Sequence, residues 1–182
     1  MPSIIRNLPL ERARTDVPIG GRSVSVLPFQ AVVWVSIVSK GPEPFDPRTP
    51  SIPAVVDLGF NGTFAIREEQ LREWAGLDPR LFYRVRTSRL RGAVADERAA
   101  NLWLHSNVPN SRSPSGQPPL RMELFKGMFV LRRPEQSDRR DDRPRLPLLG
   151  FRALHRADLK VVVDCKNCRL TIRAPRGLWF LG

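Results

Sequence analysis

Eighteen prolines are spread along this 182-residue chain, and they restrict its fold more than any other feature. Each fixes its own φ and removes a backbone donor, so long helices are broken and central strands stay short. The apolar runs between them are brief and rich in Val, Ile, Phe and Trp. "VSVLPFQAVVWVSIV" (24 to 38) suits one or two strands. A hydrophobic fraction of 41% and a length that fills one core predict one globular domain. No apolar run approaches the roughly 20 residues that cross a bilayer as a helix. The opening "MPSIIRNLPLERARTD" has neither a long apolar stretch nor a small-residue cleavage site. No signal peptide is read there, and the expected location is cytoplasmic, with no membrane partner.

Two segments depart from the β pattern. "REEQLREWAG" (67 to 76) has acids in a first turn, Leu71 and Trp74 at helical spacing, and a glycine stop. Residues 151 to 157 read as a second short helix. The expectation is therefore an all-β protein with two short helices, each following an apolar run and a glycine turn. Residues 1 to 20 show little periodicity and read as an N-terminal extension. Segments 39 to 53, 107 to 119 and 134 to 145 read as loops, with the Ser/Pro/Asn-rich 107 to 119 expected to be disordered. "YRVRTSRLRG" (83 to 92) alternates as a strand and "NLWLHS" (101 to 106) returns, which predicts a hairpin tipped near Ala95, Asp96 and Glu97. "LRMELFKGMFVLRR" (120 to 133) is strand-like with a glycine break, and "LKVVVDCKNCRLTIRAP" (159 to 175) closes as a hairpin.

The net charge of +12 attracts polyanions without specifying one. The densest basic run, "LRRPEQSDRRDDRPR" (131 to 145), interleaves acids and has no aromatic stacking platform beside it. A solvated loop is expected there rather than a grip on nucleic acid. Both cysteines lie in "DCKNC", as Cys165 and Cys168. A structural zinc site wants four ligands, and His105 and His155 are far away in sequence. Two thiols flanking a hairpin turn are expected, with a redox pair or a zinc shared between two copies as alternatives. The sequence calls for no metal and no cofactor.

One stretch is left to account for. "PAVVDLGFNGTFAI" (53 to 66) runs an apolar strand into a single acid, Asp57, and turns at once through Gly59 and Gly62. An acid in that place is a turn former or a catalyst. Read with "LPLLGFRALHRADLKVVVDCKNCRLTI" (146 to 172), it resembles the retropepsin-like aspartic proteases (clan AA). The bacterial variant of that family has the active-site turn Asp-Thr-Gly-Phe-(Asn/Ser/Thr)-Gly. The later segment resembles the family's second landmark, a hydrophobic-hydrophobic-Gly turn, here Leu148-Leu149-Gly150, followed by helix, strand, turn and strand.

The resemblance covers roughly residues 24 to 174. It implies a closed β-barrel of one lobe with a flap hairpin, spanning 21 to 176, followed by an apolar tail at 177 to 182. In the family, terminal strands of this kind interleave between subunits. It also implies that Asp57 is catalytic, that Leu58 and Gly59 complete the active-site turn, and that Leu148, Leu149 and Gly150 support it. Ala95, Asp96 and Glu97 become the flap tip that closes over substrate. Hydrolysis by this route needs two carboxylates that share one proton around one water, so that one acts as base and the other as acid. The chain offers one such turn. The implied enzyme is therefore a homodimer with one Asp57 from each subunit, acting on a peptide or protein that lies extended against the flap.

Leu58 departs from the family pattern. The family's Thr or Ser hydroxyl bonds across the dimer to the partner's turn, and leucine has neither donor nor acceptor. Three readings follow. One is a working aspartic endopeptidase. The second is a retropepsin-like module that binds peptides or dimerises without efficient cleavage. The third is a basic nucleic-acid-binding β-domain whose binding falls steeply with salt.

Overall fold

The computed structural model describes residues 3–41, 44–90, 93–124, 126–132 and 146–175. The chain is mainly β. Its strands are β1 (Ser3–Pro9), β2 (Thr15–Ile19), β3 (Arg22–Val26), β4 (Val32–Ser39), β5 (Ile52–Asp57), β6 (Phe64–Arg67) and β7 (Arg84–Leu90). They continue with β8 (Ala93–Arg98), β9 (Ala100–Leu104), β10 (Leu120–Glu123), β11 (Met128–Leu131), β12 (Leu148–Gly150), β13 (Lys160–Asp164) and β14 (Arg169–Arg173). Two short helices, α1 (Glu68–Glu73) and α2 (Phe151–Arg156), fall where the sequence places them. Among the described residues no helix is long and apolar enough to cross a membrane.

Nine strands form one sheet in the order β10-β9-β4-β5-β12-β6-β11-β8-β7. β4 and β5 lie inside it and are buried on both faces, which is why their sequences are continuous apolar runs rather than alternating ones. The closed barrel implied by the resemblance is not found. Among the described residues the sheet is open, because its end strands β10 and β7 do not pair with each other. β12 inserts between β5 and β6, parallel to the first and antiparallel to the second. The turn from β5 to β6 must therefore cross two strand spacings, roughly 9.6 Å. That breadth explains why six residues separate Asp57 from Phe64 in place of a tight hairpin.

The segment expected to be an N-terminal extension is part of the core. β1 pairs antiparallel with β14, and Ile4, Ile5 and Leu8 are buried. Two register shifts interrupt the ladder, and Asn7 sits at φ 47. A strand kinked in this way loses period-two alternation, so its apolar residues look aperiodic in the sequence. β2 and β3 form a separate hairpin through Gly20 and Gly21, both at positive φ as a primed turn requires. Its inward valines and Ile19 pack on Val32, Val55 and Leu146.

The segment 107 to 119, expected to be disordered, is held by specific bonds. Asn107 accepts from the Arg6 amide (2.7 Å) and donates to the Arg6 and Ser111 carbonyls. Trp34 Nε1 donates to the Arg112 carbonyl (2.7 Å), and the Ser106 and Ser115 hydroxyls pair at 2.7 Å. Polar side chains that signal disorder when counted by composition serve here as partners for buried backbone groups. The loop at 134 to 145 and the tail at 177 to 182 lie outside the described residues.

The hairpin is also redrawn. β7 pairs with β8, and the turn between them falls at 91–92, outside the described residues. β9 pairs with β4 and β10 instead of returning along β7. Ala95, Asp96 and Glu97 are thus not a tip. They lie mid-strand in β8, between β7 and β11, with Asp96 only 3% and Glu97 only 1% exposed. Arginines make this burial tolerable. Asp96 pairs with Arg132 (2.8 Å) and Arg98 (3.1 Å) and accepts from Thr87 Oγ1 (3.0 Å), while Glu97 pairs with Arg86 (2.8 Å). Burial pushes the Asp96 carboxyl up, but the bonds from Arg132, Thr87 and Arg98 together hold it below its ordinary value.

A folded value below the unfolded one contributes stability above the unfolded pKa of about 3.9 and loses it as pH falls through the folded value. Acid titration of unfolding should therefore show a steep loss below about pH 4 in the wild type, and a shallower one in Asp96→Asn. Equal slopes in the two proteins would remove Asp96 from the account.

Candidate active site

Asp57 is the last residue of β5 and is half-buried. The pairing of β12 with β5 sets Gly150 directly beside it. The backbone then turns so tightly that the Gly59 amide donates to Asp57 Oδ1 at 3.0 Å. A methyl group on Gly59 would lie 3.3 Å from that same oxygen, closer than most real contacts, so glycine keeps the approach open. Phe60 N donates to the Asp57 carbonyl (3.1 Å) and closes the turn.

The start of α2 grips the rest of the turn. Gly150 N donates to the Thr63 carbonyl (2.8 Å), Phe151 N to Phe60 (3.1 Å) and Arg152 N to Gly62 (3.2 Å). Amides at the start of a helix have no partner within it, and here they find partners across the fold. Arg152 Nε adds a bond to Asn61 Oδ1 (3.1 Å). Phe60 is buried under the turn, edge-on to Phe129 with ring centroids 6.1 Å apart. The buried Thr63 hydroxyl donates to the Gly127 carbonyl and ties the turn to the start of β11.

Of the residues singled out in the sequence, Asp57, Gly59 and Gly150 meet at one place, with Leu148 and Leu149 carrying β12 alongside β5. Ala95, Asp96 and Glu97 belong to β8 and join the other arginine-rich end of the sheet. Phe60, Gly62, Thr63 and Arg152 were not picked out as site residues, yet they fix the turn. The phenylalanine and second glycine of "GFNG" were the available signal for two of them.

Leu58 points outward and is 48% exposed, and Phe151 is 49% exposed. Phe29, 59% exposed and at φ 61, lies two residues before Ala31, whose carbonyl accepts from Val56 N (2.9 Å). All three apolar side chains therefore sit at the Asp57 end of the sheet. Exposed apolar side chains at one end of a sheet are the kind of surface that a partner can cover.

A second pair with catalytic residue types can be set aside. Ser36 Oγ lies 2.8 Å from His105 Nε2. Ser36 is fully buried between β5 and β9, and the Phe45 ring stands edge-on to His105. Burial lowers the His105 pKa, so the ring is neutral at ordinary pH. No substrate reaches this hydroxyl. Among the described residues no group of three His, Cys, Asp or Glu could hold a metal ion. No family model, no curated protein and no solved structure matches the chain.

Proposed function

We propose that this protein is an aspartic endopeptidase of the retropepsin-like type, acting as a homodimer. What carries the reading is the joint placement of Asp57 and Gly150, with the Gly59 amide on the Asp57 carboxylate and α2 bonded to the turn. A turn former alone needs none of this bracing. In the dimer two Asp57 carboxylates flank one water. One takes its proton as the oxygen attacks the peptide carbonyl, and the other protonates the departing amine. Leu58, Phe151 and Phe29, exposed at the Asp57 end of the sheet, give the second subunit an apolar seat.

The test is cleavage of a mixed peptide library between about pH 4 and pH 7, the range in which a coupled pair of carboxylates can work. Activity per subunit is followed against protein concentration. It should rise with concentration as monomers pair. Activity that is constant down to concentrations where sedimentation shows only monomer would sink the homodimer reading.

Exposed Leu58 favours one second reading, a dimerising or peptide-binding module with weak cleavage. Leu58→Thr separates the two. A hydroxyl that bonds across the axis twice should tighten the dimer roughly tenfold. Turnover should rise with it if geometry was limiting. A tighter dimer that still cleaves nothing would select the non-catalytic module.

A further inference from the structure

Cys165 and Cys168 are the first and last residues of the four-residue turn between β13 and β14, closed by the Asp164–Arg169 pair. Asp164 clasps that turn. Its Oδ1 accepts from the Asn167 amide (3.0 Å) and its Oδ2 from Asn167 Nδ2 (2.7 Å). These bonds, the side-chain one foremost, hold the Asp164 carboxyl below its ordinary value, so the clasp stays closed at neutral pH. Cys168 takes a left-handed backbone at φ 51, and its thiol lies 3.7 Å from the Cys165 carbonyl. Both thiols are free; Cys165 is exposed and Cys168 half-buried. A tight turn brings its end Cα atoms within about 7 Å, near the limit that a disulfide spans.

Cys168 also opens onto a groove of about 550 Å³, within the size range of small-molecule sites. Arg12, Arg169, Asn110, Asn167 and Glu11 line it with Cys168. Two arginines against one glutamate make it a seat for anions, and the asparagines add neutral donors. Among the described residues nothing completes a zinc site here, since two thiolates supply only half its ligands.

We propose that this turn is a dithiol site for low-molecular-weight disulfides that carry carboxylates, the class of oxidised glutathione. The arginines hold the carboxylates, Cys168 attacks, and Cys165 resolves. In the first step the Cys168 thiolate forms a bond to one ligand sulfur, and the ligand S–S bond breaks. The departing thiolate leaves with the electron pair and takes up a proton. In the second step the Cys165 thiolate attacks the Cys168 sulfur and expels the other thiolate. The protein dithiol is oxidised by two electrons, and the ligand disulfide is reduced to two thiols. The site lies on the three-stranded sheet β1-β14-β13, apart from the strands that carry Asp57, and it does not rest on the peptidase reading.

The experiment treats the reduced full-length protein with oxidised glutathione and follows intact mass and mapped peptides. Wild type should lose two hydrogens without accumulating an adduct. Cys165→Ser should trap one glutathionyl group on Cys168. Cys168→Ser should react at Cys165 roughly tenfold more slowly, because Cys165 lacks the charged groove. Arg12→Ala, at an exposed position, should slow trapping by oxidised glutathione several-fold more than reaction with the uncharged hydroxyethyl disulfide. Faster reaction at Cys165, as exposure alone dictates, would overturn the proposal. So would an Arg12→Ala effect equal for both disulfides, or adducts on wild type that never close the ring.

Discussion

Asp57→Asn is expected to abolish peptide cleavage, by at least about three orders of magnitude, and to leave the fold intact. Asparagine has the same shape, and its carbonyl oxygen can accept the Gly59 amide as Asp57 Oδ1 does. What it cannot do is exchange a proton with water. In a homodimer the loss spreads further, because each site draws on both subunits. Wild type mixed with excess variant should fall below the activity expected from simple dilution, as subunits re-pair into mixed dimers. Cleavage that survives in the variant, with the same peptide products, would place the chemistry elsewhere in the molecule.

Gly150→Ala should destabilise the protein by about 3 kcal/mol, the upper end of what overpacking costs. The reason is contact, not backbone freedom, since Gly150 has φ −91, open to any residue. Its added Cβ would lie 2.3 Å from the Gly62 carbonyl oxygen and 2.7 Å from the Phe60 ring. Neither neighbour moves cheaply. The Gly62 carbonyl is bonded to Arg152 N, and Phe60 is buried. Gly20→Ala is the contrast. Nothing lies within 4 Å of its Cβ, and only the left-handed backbone (φ 52) is penalised, by roughly 1–2 kcal/mol. Urea unfolding of both variants measures the difference. A cost below about 1 kcal/mol for Gly150→Ala would mean that β12 and the Asp57 turn have room to part.

How much of this was legible in the sequence depended on whether the signal was local. Asp57, Gly59 and the Leu148-Leu149-Gly150 run were visible because an apolar strand, an acid and a glycine turn are consecutive. Both short helices were visible for the same reason, and so was the closing hairpin around Cys165 and Cys168. Ala95, Asp96 and Glu97 were misplaced because their burial depends on Arg132, 36 residues after Asp96, and on Arg86, 11 residues before Glu97. Acids followed by alanines look like a turn until those partners are known. Residues 3 to 9 were missed because bulges erased their alternation, and 107 to 119 because polar residues count as disorder until Arg6 and Trp34 are set against them. The grip of α2 on the turn was invisible for a simpler reason. Backbone amides carry no sequence identity.

The pairing of β1 with β14 sets the timetable of folding. Ile4, Ile5 and Leu8 are made more than 160 residues before their cover at Leu170 and Ile172. On the ribosome, at about 5–20 residues per second, β1 waits many seconds for β14 to cover its apolar face. Closing so long a loop is entropically costly and slow. The nascent chain therefore carries a sticky segment until β14 is made, which makes it a natural client for chaperones that shield emerging apolar peptides.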